Sequence, residues 1–336
     1  MKQVVTRLLE PAQTILQGDH AAETSHILPR GSFSQYAKEV QPIMHVRRIL
    51  FPIVFSDAVA AMAPSVREVA ERFKATVTVL HAVNLVPEYI QGPSLDEPCS
   101  PNEGPSFLSP ALQDLRNQQA RRLGEFSRAH FSSIDYRERI EDGDPATVIK
   151  WVAKCENTDL IMMPTRGLGR FRRLLGGSAT SKILHDIACP VWTNVRKPEP
   201  ASIVLGGYRS ILCAVGVNSE KDHVFKAASL FARTYGARVC LLHIQSSYDK
   251  RNRQSTAQSI RSSFERACIP DGSGIAPEAS VRILDGKIPE GIRRIADDEG
   301  ADLLIVGRGH ARESFSRAWS HLYAIIRGSP CPVLSV

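Results

Sequence analysis

Three features of this sequence predict two doubly wound α/β domains in tandem. They are an internal repeat, strands that read as short unbroken apolar runs, and amphipathic helical stretches between those runs. The repeat is legible residue by residue. Arg48-Ile49-Leu50-Phe51-Pro52-Ile53-Val54 opens the first copy, and Ser210-Ile211-Leu212-Cys213-Ala214-Val215 opens the second. Val77-Thr78-Val79-Leu80-His81-Ala82 is matched by Arg238-Val239-Cys240-Leu241-Leu242-His243-Ile244. Thr158-Asp159-Leu160-Ile161-Met162-Met163 is matched by Ala301-Asp302-Leu303-Leu304-Ile305-Val306, and Cys189-Pro190-Val191 by Cys331-Pro332-Val333.

The spacing locates an insertion. Leu50 and Leu212, like His81 and His243, stand 162 residues apart, whereas Asp159 and Asp302 stand 143 apart. The first copy therefore carries 19 additional residues after its second strand. They fall in Gln91 to Pro110, a Pro-, Ser- and Glu-rich stretch without apolar period, which reads as a surface loop.

Runs such as Val77 to Leu80 and Leu303 to Val306 have the pattern of strands buried on both faces. Between runs, Val66, Val69, Ala70 and Phe73 recur at helical spacing, as do Val224, Ala227, Ala228 and Phe231. Alternating strands and helices imply right-handed crossovers and a parallel sheet covered on both faces. The organisation expected is an N-terminal extension over 1–45 without fixed order, a first domain over 46–196, a linker over 197–207 rich in Pro and Gly, and a second domain over 208–336.

Composition narrows the function classes. The balance of 43% hydrophobic and 23% charged residues is that of a soluble globular protein. No apolar run reaches the roughly 20 residues that span a bilayer, and Met1 to Gly31 lacks the apolar core of a secretory signal. Seven cysteines without any Cys-x-x-Cys pair fit scattered reduced thiols and a cytoplasmic location. The net charge is +7, and only one short basic cluster appears, Arg166 to Arg173, rather than a long basic stripe, which argues against nucleic acid as a partner.

In sheets of this kind ligands bind beyond the carboxyl ends of the strands, where the strand order reverses. The first strand is followed by Phe55-Ser56-Asp57-Ala58, so the dinucleotide fingerprint is missing; no Walker loop and no G-x-S-x-G elbow occurs either. His81 and His243 close buried strands and read as hydrogen-bonded core histidines. The fourth strand of the first copy runs into Pro164-Thr165-Arg166-Gly167 and then Gly177-Ser178-Ala179-Thr180 ahead of a helix. Glycines, free N–H groups and two hydroxyls at a helix start are the elements of an anion site, with Arg166 and Arg170 beside them. The same residues also suit a plain turn followed by a Ser-capped helix. No catalytic set of carboxylates or of Ser, His and Asp can be assembled.

Together these motifs resemble the universal stress protein family, over Val46 to Arg196 and again over Tyr208 to Val336. Its nucleotide-binding branch carries G-x-x-G, nine residues, then G-[ST]; here Gly167 and Gly177-Ser178 match and Pro164 replaces the first glycine. The opening strand is similar to the family's I-L-x-P-x-D-x-S at Ile49, Leu50, Pro52 and Ser56, with Val54 in place of the acid. The resemblance implies adenine-nucleotide alpha-hydrolase-like (Rossmann-like) domains. It also implies one weak or vestigial ATP site formed by Ile53, Val54, Ala82, Arg166, Gly167, Gly177, Ser178, Ala179 and Thr180.

The second copy departs further: Gly307 is kept, but His310, Ser320-His321 and Gly216 stand where glycine, Gly-Ser and the acid are expected, which implies a scaffold half. Family members resemble dimers joined through their last strands, so the two copies are expected to pair within the chain. A homodimer and an unidentified protein partner also fit. A non-catalytic stress-response protein is the reading implied; a nucleotide-free scaffold, or a slow ATPase or nucleotidyl-handling enzyme, are its alternatives.

Overall fold

The computed structural model describes residues 44–83, 110–164, 187, 189–194, 207–216, 221–245, 252–268, 277–308 and 317–336. Residues 1–43 of the expected extension, all of the expected Gln91 to Pro110 loop but Pro110, and 197–206 of the expected linker over 197–207 lie outside the described residues. In the first half the elements are β1 (Arg48–Ile53), α1 (Asp57–Phe73), β2 (Thr76–Val83), α2 (Pro110–Phe131), β3 (Tyr136–Asp142), α3 (Pro145–Cys155), β4 (Leu160–Pro164) and β5 (Val191–Asn194). In the second half they are β6 (Ser210–Ala214), α4 (Lys221–Tyr235), β7 (Arg238–Gln245), α5 (Arg253–Cys268), β8 (Ala279–Asp285), α6 (Ile288–Asp298), β9 (Leu303–Val306), α7 (Arg317–Gly328) and β10 (Val333–Ser335). Pro110, expected in a surface loop, is the first residue of α2, a position that tolerates proline because its missing N–H has no helical acceptor.

The strands join one ten-stranded sheet in the order β3-β2-β1-β4-β5-β10-β9-β6-β7-β8. Each half contributes five parallel strands in the order third, second, first, fourth, fifth, so the order reverses between β1 and β4 and again between β6 and β9. The halves meet through an antiparallel pair, with Val333 opposite Thr193, Leu334 opposite Trp192 and Ser335 opposite Val191. β5 and β10, the last strands of the two halves, are the two central strands of the sheet, and each uses its free side to satisfy the other.

Local chemistry explains the elements. In α1 the buried face is Val59, Met62, Ala63, Val66, Val69 and Ala70, and the helix ends at Lys74 in the left-handed region with φ of 52°. Helix α3 starts at Asp144, whose carboxylate accepts from the Thr147 N–H at 3.1 Å, followed by Pro145 in the first turn. One device is used twice. Asp159 accepts from the N–H groups of Arg47 and Arg48 at 3.0 and 2.9 Å, and Asp302 from those of Arg209 and Ser210 at 2.9 and 3.0 Å. Each carboxylate fastens the start of its half's first strand to the strand beside it.

The cores of the halves are filled differently. In the first, Phe51 and Phe131 meet edge to face at 5.8 Å. In the second, the buried thiols Cys213 and Cys268 are small, and Phe225 and Phe264 pack at 5.5 Å. Five of the described cysteines, Cys189, Cys213, Cys240, Cys268 and Cys331, are free thiols. Cys155 is disulfide-bonded, which corrects the expectation of reduced cysteines throughout. Among the described residues no helix is long and apolar enough to cross a membrane.

Beneath the central pair, α1 packs against α4 and an aromatic cluster spans the seam. Trp192 lies 5.1 Å from Tyr208 and 5.7 Å from Phe231, Phe73 lies 5.0 Å from Phe231, and Tyr208 meets Tyr235 at 5.1 Å. Gly207 enters the second half with φ of +68°, and a Cβ there would stand 2.7 Å from the Tyr235 ring, so both backbone and space demand glycine.

The Tyr235 hydroxyl donates to Glu68 at 2.7 Å across the seam. Burial raises the Glu68 pKa above its ordinary 4.5, against the opposing pull of the Tyr235 hydrogen bond and of Arg72. Between 4.5 and that raised value the folded chain holds a proton that the unfolded chain has released, so stability falls as pH rises through this window. Glu68→Gln keeps an acceptor for Tyr235 and should remove this fall. Thermal melts from pH 4 to 8 check it: wild-type and variant curves running parallel would refute the assignment.

Candidate functional site

The carboxyl edge of the first half is built by the ends of β1, β2 and β4. Ile53 is opposite His81 in the β1–β2 ladder, so Val54 and Ala82 stand together one residue beyond that pair. Ile53 is buried, whereas Val54 and Ala82 are half-buried and pack against the core at this edge. These three sequence-predicted residues are thus brought together. Arg166, Gly167, Gly177, Ser178, Ala179 and Thr180 lie outside the described residues. Pro164, the residue that departs from the glycine pattern, is the last of β4 and lies opposite Asn194.

His81 is fixed. Its Nδ1–H donates to the Ile53 carbonyl at 3.0 Å, and the Gln119 side chain from α2 hydrogen-bonds the ring. Burial lowers its pKa, the nearby Arg122 cation adds to this, and the bond to Ile53 opposes it, so the ring is neutral at pH 7. His243 repeats the arrangement, with Nδ1–H donating to the Val215 carbonyl at 2.9 Å. Both histidines staple the end of their half's first strand to the second, as the sequence suggested.

Sequence reasoning missed what covers this edge. The half-buried Phe55 ring lies 4.7 Å from the His81 ring, and the Arg122 guanidinium of α2 stacks 4.2 Å from the centre of the Phe55 ring. The residues are 67 apart in the chain, and nothing in their local pattern marks them as neighbours.

Further along the edge the acids are engaged. Asp142 at the end of β3 pairs with Arg116 of α2 at 3.2 Å. Its neighbour Glu141 pairs with Arg139 at 2.6 Å, and Arg139 also reaches Glu156 at 2.8 Å while lying over the Trp151 ring. Burial pushes both Glu141 and Asp142 up, and their arginine partners pull them back. As consecutive strand residues they project to opposite faces and cannot act on one substrate atom. Among the described residues no group of three His, Cys, Asp or Glu side chains is placed to hold a metal ion.

The corresponding edge of the second half is put to another use. Arg308, directly after Gly307, turns its guanidinium into the seam and donates to the carbonyls of Ile187, Cys189 and Ser335, the last at 3.2 Å. Its own N–H donates to the Val336 carbonyl at 3.0 Å. Ser320 and His321, aligned with the Gly-Ser of a phosphate turn, lie inside α7. The residues that would begin and end a phosphate loop here are thus a clasp and a helix.

The fold is doubly wound and Rossmann-like, of the adenine-nucleotide alpha-hydrolase type, and it is present twice in one chain around a shared sheet. The universal stress protein family model matches residues 45–194 and 207–336, and the chain belongs to that family. A universal stress protein of Thermus aquaticus is 29% identical over 145 residues, which is 43% of this chain and 96% of that relative. One from Methanocaldococcus jannaschii is 27% identical over 153 residues, 46% of this chain and 84% of that protein. Both relatives match a stretch about one half long. A universal stress protein structure from Archaeoglobus fulgidus covers 87% of this chain and 96% of its own at a TM-score of 0.63 and 18% identity, a likeness of fold.

Proposed function

We propose that this chain is a non-catalytic stress-response protein of the cytoplasm that binds one adenine nucleotide, ATP, weakly in its first half and uses the second half as scaffold. The observation that carries the reading is the asymmetry of the two carboxyl edges. Val54 and Ala82 stand half-buried at the ends of the first two strands of the first half, in a sequence that keeps Gly167 and Gly177-Ser178-Ala179-Thr180; in the second half Arg308 is committed to the seam and Ser320-His321 to a helix. In this reading Ile53, Val54 and Ala82 border the adenosine, and Arg166, Gly167 and Gly177 to Thr180 take the phosphates. A non-catalytic role agrees with a neutral His81 whose Nδ1–H is already used by Ile53.

Weakness follows from two residues. Val54 offers no acceptor to a ribose hydroxyl, and Pro164 has no N–H to offer a phosphate. A lost hydrogen bond costs about 0.5–1.5 kcal/mol, more when its partner is left buried. Two such losses reduce affinity by roughly tenfold to a few hundredfold. Calorimetric titration with ATP should give a stoichiometry of one per chain, and Gly177→Val should abolish the heat by placing a branched side chain where the phosphates approach. Equal heats for both proteins, or two sites per chain, would overturn the placement. A wild type that gives no heat, and no nucleotide on denaturation, would favour the nucleotide-free scaffold; phosphate release during incubation would favour the ATPase.

A further inference from the structure

The two outer strands of the ten-stranded sheet, β3 and β8, are equivalent strands of the two halves, yet they are defended differently. At the offset of 143 that relates Asp159 to Asp302, Arg139 and Asp142 recur as Arg282 and Asp285. Around them the first half places Arg137, Glu138 and Glu141 where the second half has Ser280, Val281 and Leu284. Charges along an edge strand discourage a further strand from pairing, and an edge without them is a template for one. Among the described residues no strand lies on the outer side of β8.

Two ladder bonds fix which groups of β8 face outward. The Val239 N–H donates to the Glu278 carbonyl at 3.2 Å, and the Gly286 N–H to the Gln245 carbonyl at 3.3 Å. The register on β7 runs unbroken from Ala279 to Asp285, so the even-numbered residues bond inward. Ala279, Val281, Ile283 and Asp285 therefore turn their N–H and C=O groups away from the sheet. Val281 and Ile283 share one face and are half-buried. Arg282 stands on the other face, where its Nε and Nη2 both donate to Oε1 of Glu299, at 3.2 and 2.9 Å. A second β8 laid antiparallel and centred on Arg282 satisfies this edge. Val281 then faces Ile283 of the second copy and Ala279 faces Asp285, each as a hydrogen-bonded pair. A two-fold axis normal to the sheet makes the register self-complementary and keeps each face on its own side. The Val281 and Ile283 side chains of both copies form one apolar row. On the opposite face each Glu299 has a second oxygen with which to take the arginine of the other copy, so cations and carboxylates alternate about the axis.

We infer that β8 is the docking edge for a second copy of this chain, which pairs through it antiparallel about Arg282 and continues the sheet across a two-fold axis. The charged β3 edge leaves the other end of the sheet unused, so the assembly closes at two copies. The contact is small for a specific interface, so the dimer forms in a concentration-dependent way. Sedimentation velocity on the full chain should show a monomer at low micromolar concentration passing to a dimer as the concentration is raised. Val281→Glu installs the residue found at this position of the first-half edge. Val281→Pro removes an outward N–H and leaves the bonds to β7 in place. Each variant, checked for folding by circular dichroism, should weaken association about tenfold or more. The register has its own readout. Residues opposed at a non-hydrogen-bonded position have Cα atoms about 4.5 Å apart, so Arg282→Cys should cross-link to itself under a mild thiol oxidant. Arg137→Cys, on the exposed β3 edge, should not. A wild type that stays monomeric throughout the range overturns the inference. So does a dimer that both Val281 variants leave intact, a mass that grows beyond two copies, or cross-linking through Arg137→Cys rather than Arg282→Cys.

Discussion

Trp192→Ala is expected to destabilise the chain by about 3–5 kcal/mol, the cost of removing a large aromatic side chain from a packed core. Trp192 is fully buried at the centre of the ten-stranded sheet, opposite Leu334 of the other half, and its ring contacts Tyr208 and Phe231. Its indole N–H donates to the Asn194 side chain at 3.1 Å, and the truncation removes this bond as well. Urea unfolding followed by far-ultraviolet circular dichroism measures the loss. Trp192→Phe should lose less, because a ring still reaches Phe231. The seam should bear the damage. With a protease site placed in 197–206, the cleaved wild type should run on a sizing column as one particle, and the cleaved alanine variant as two. An unchanged urea midpoint for Trp192→Ala would show that the seam is not packed as described.

Arg308→Met should cost about 2–4 kcal/mol. A hydrogen bond from a charged donor contributes about 1.5–3 kcal/mol, and Arg308 makes three, to carbonyls of both halves. The sum is reduced by desolvation: burial pushes the guanidinium pKa down to about 10, so the cation is held away from water at some expense, with only a weak opposing effect from Cys189. Arg308→Lys keeps the charge and loses the fork that reaches several carbonyls at once, so its loss should be intermediate. Chemical denaturation of the three proteins orders them. A methionine variant as stable as wild type would mean that the clasp breaks even with an apolar replacement of similar length. Neither substitution should alter nucleotide binding in the first half, which separates a role in assembly from one in ligand recognition.

Much of the architecture was legible because the repeat fixes equivalent positions independently of any propensity. The matched His81 and His243 mark the ends of second strands, and the matched Asp159 and Asp302 mark the approach to fourth strands, where each carboxylate proves to hold a first strand by its N–H groups. The third strands β3 and β8 were not legible as apolar runs. They are the outer edges of the sheet, and in Tyr-Arg-Glu-Arg-Ile-Glu-Asp charged residues take the place of apolar ones by pairing, Arg139 with Glu156 at the end of α3 and Asp142 with Arg116 of α2. At the candidate site, the adjacency of Ile53, Val54 and Ala82 could be read because strand ends are local features. Arg122 on Phe55, Tyr235 on Glu68 and Arg308 on Ile187 could not, since each contact joins elements far apart in the chain, by 167 and 121 residues in the last two cases. Such contacts are set by how distant elements pack, and the local pattern around an arginine is the same whether it faces solvent or a carbonyl.

The pairing of β5 with β10 has a kinetic meaning. Two separate chains joined through such strands must find each other, and their association weakens on dilution. Here both strands belong to one polypeptide, so docking is a first-order event governed by an effective concentration that a short connection places in the millimolar range. A three-residue ladder, together with the packing of α1 on α4, the aromatic cluster, the Tyr235–Glu68 bond and Arg308 among the described residues, holds the seam of a tethered pair. The two halves therefore stay paired at any protein concentration, and they stay paired one to one although their sequences differ.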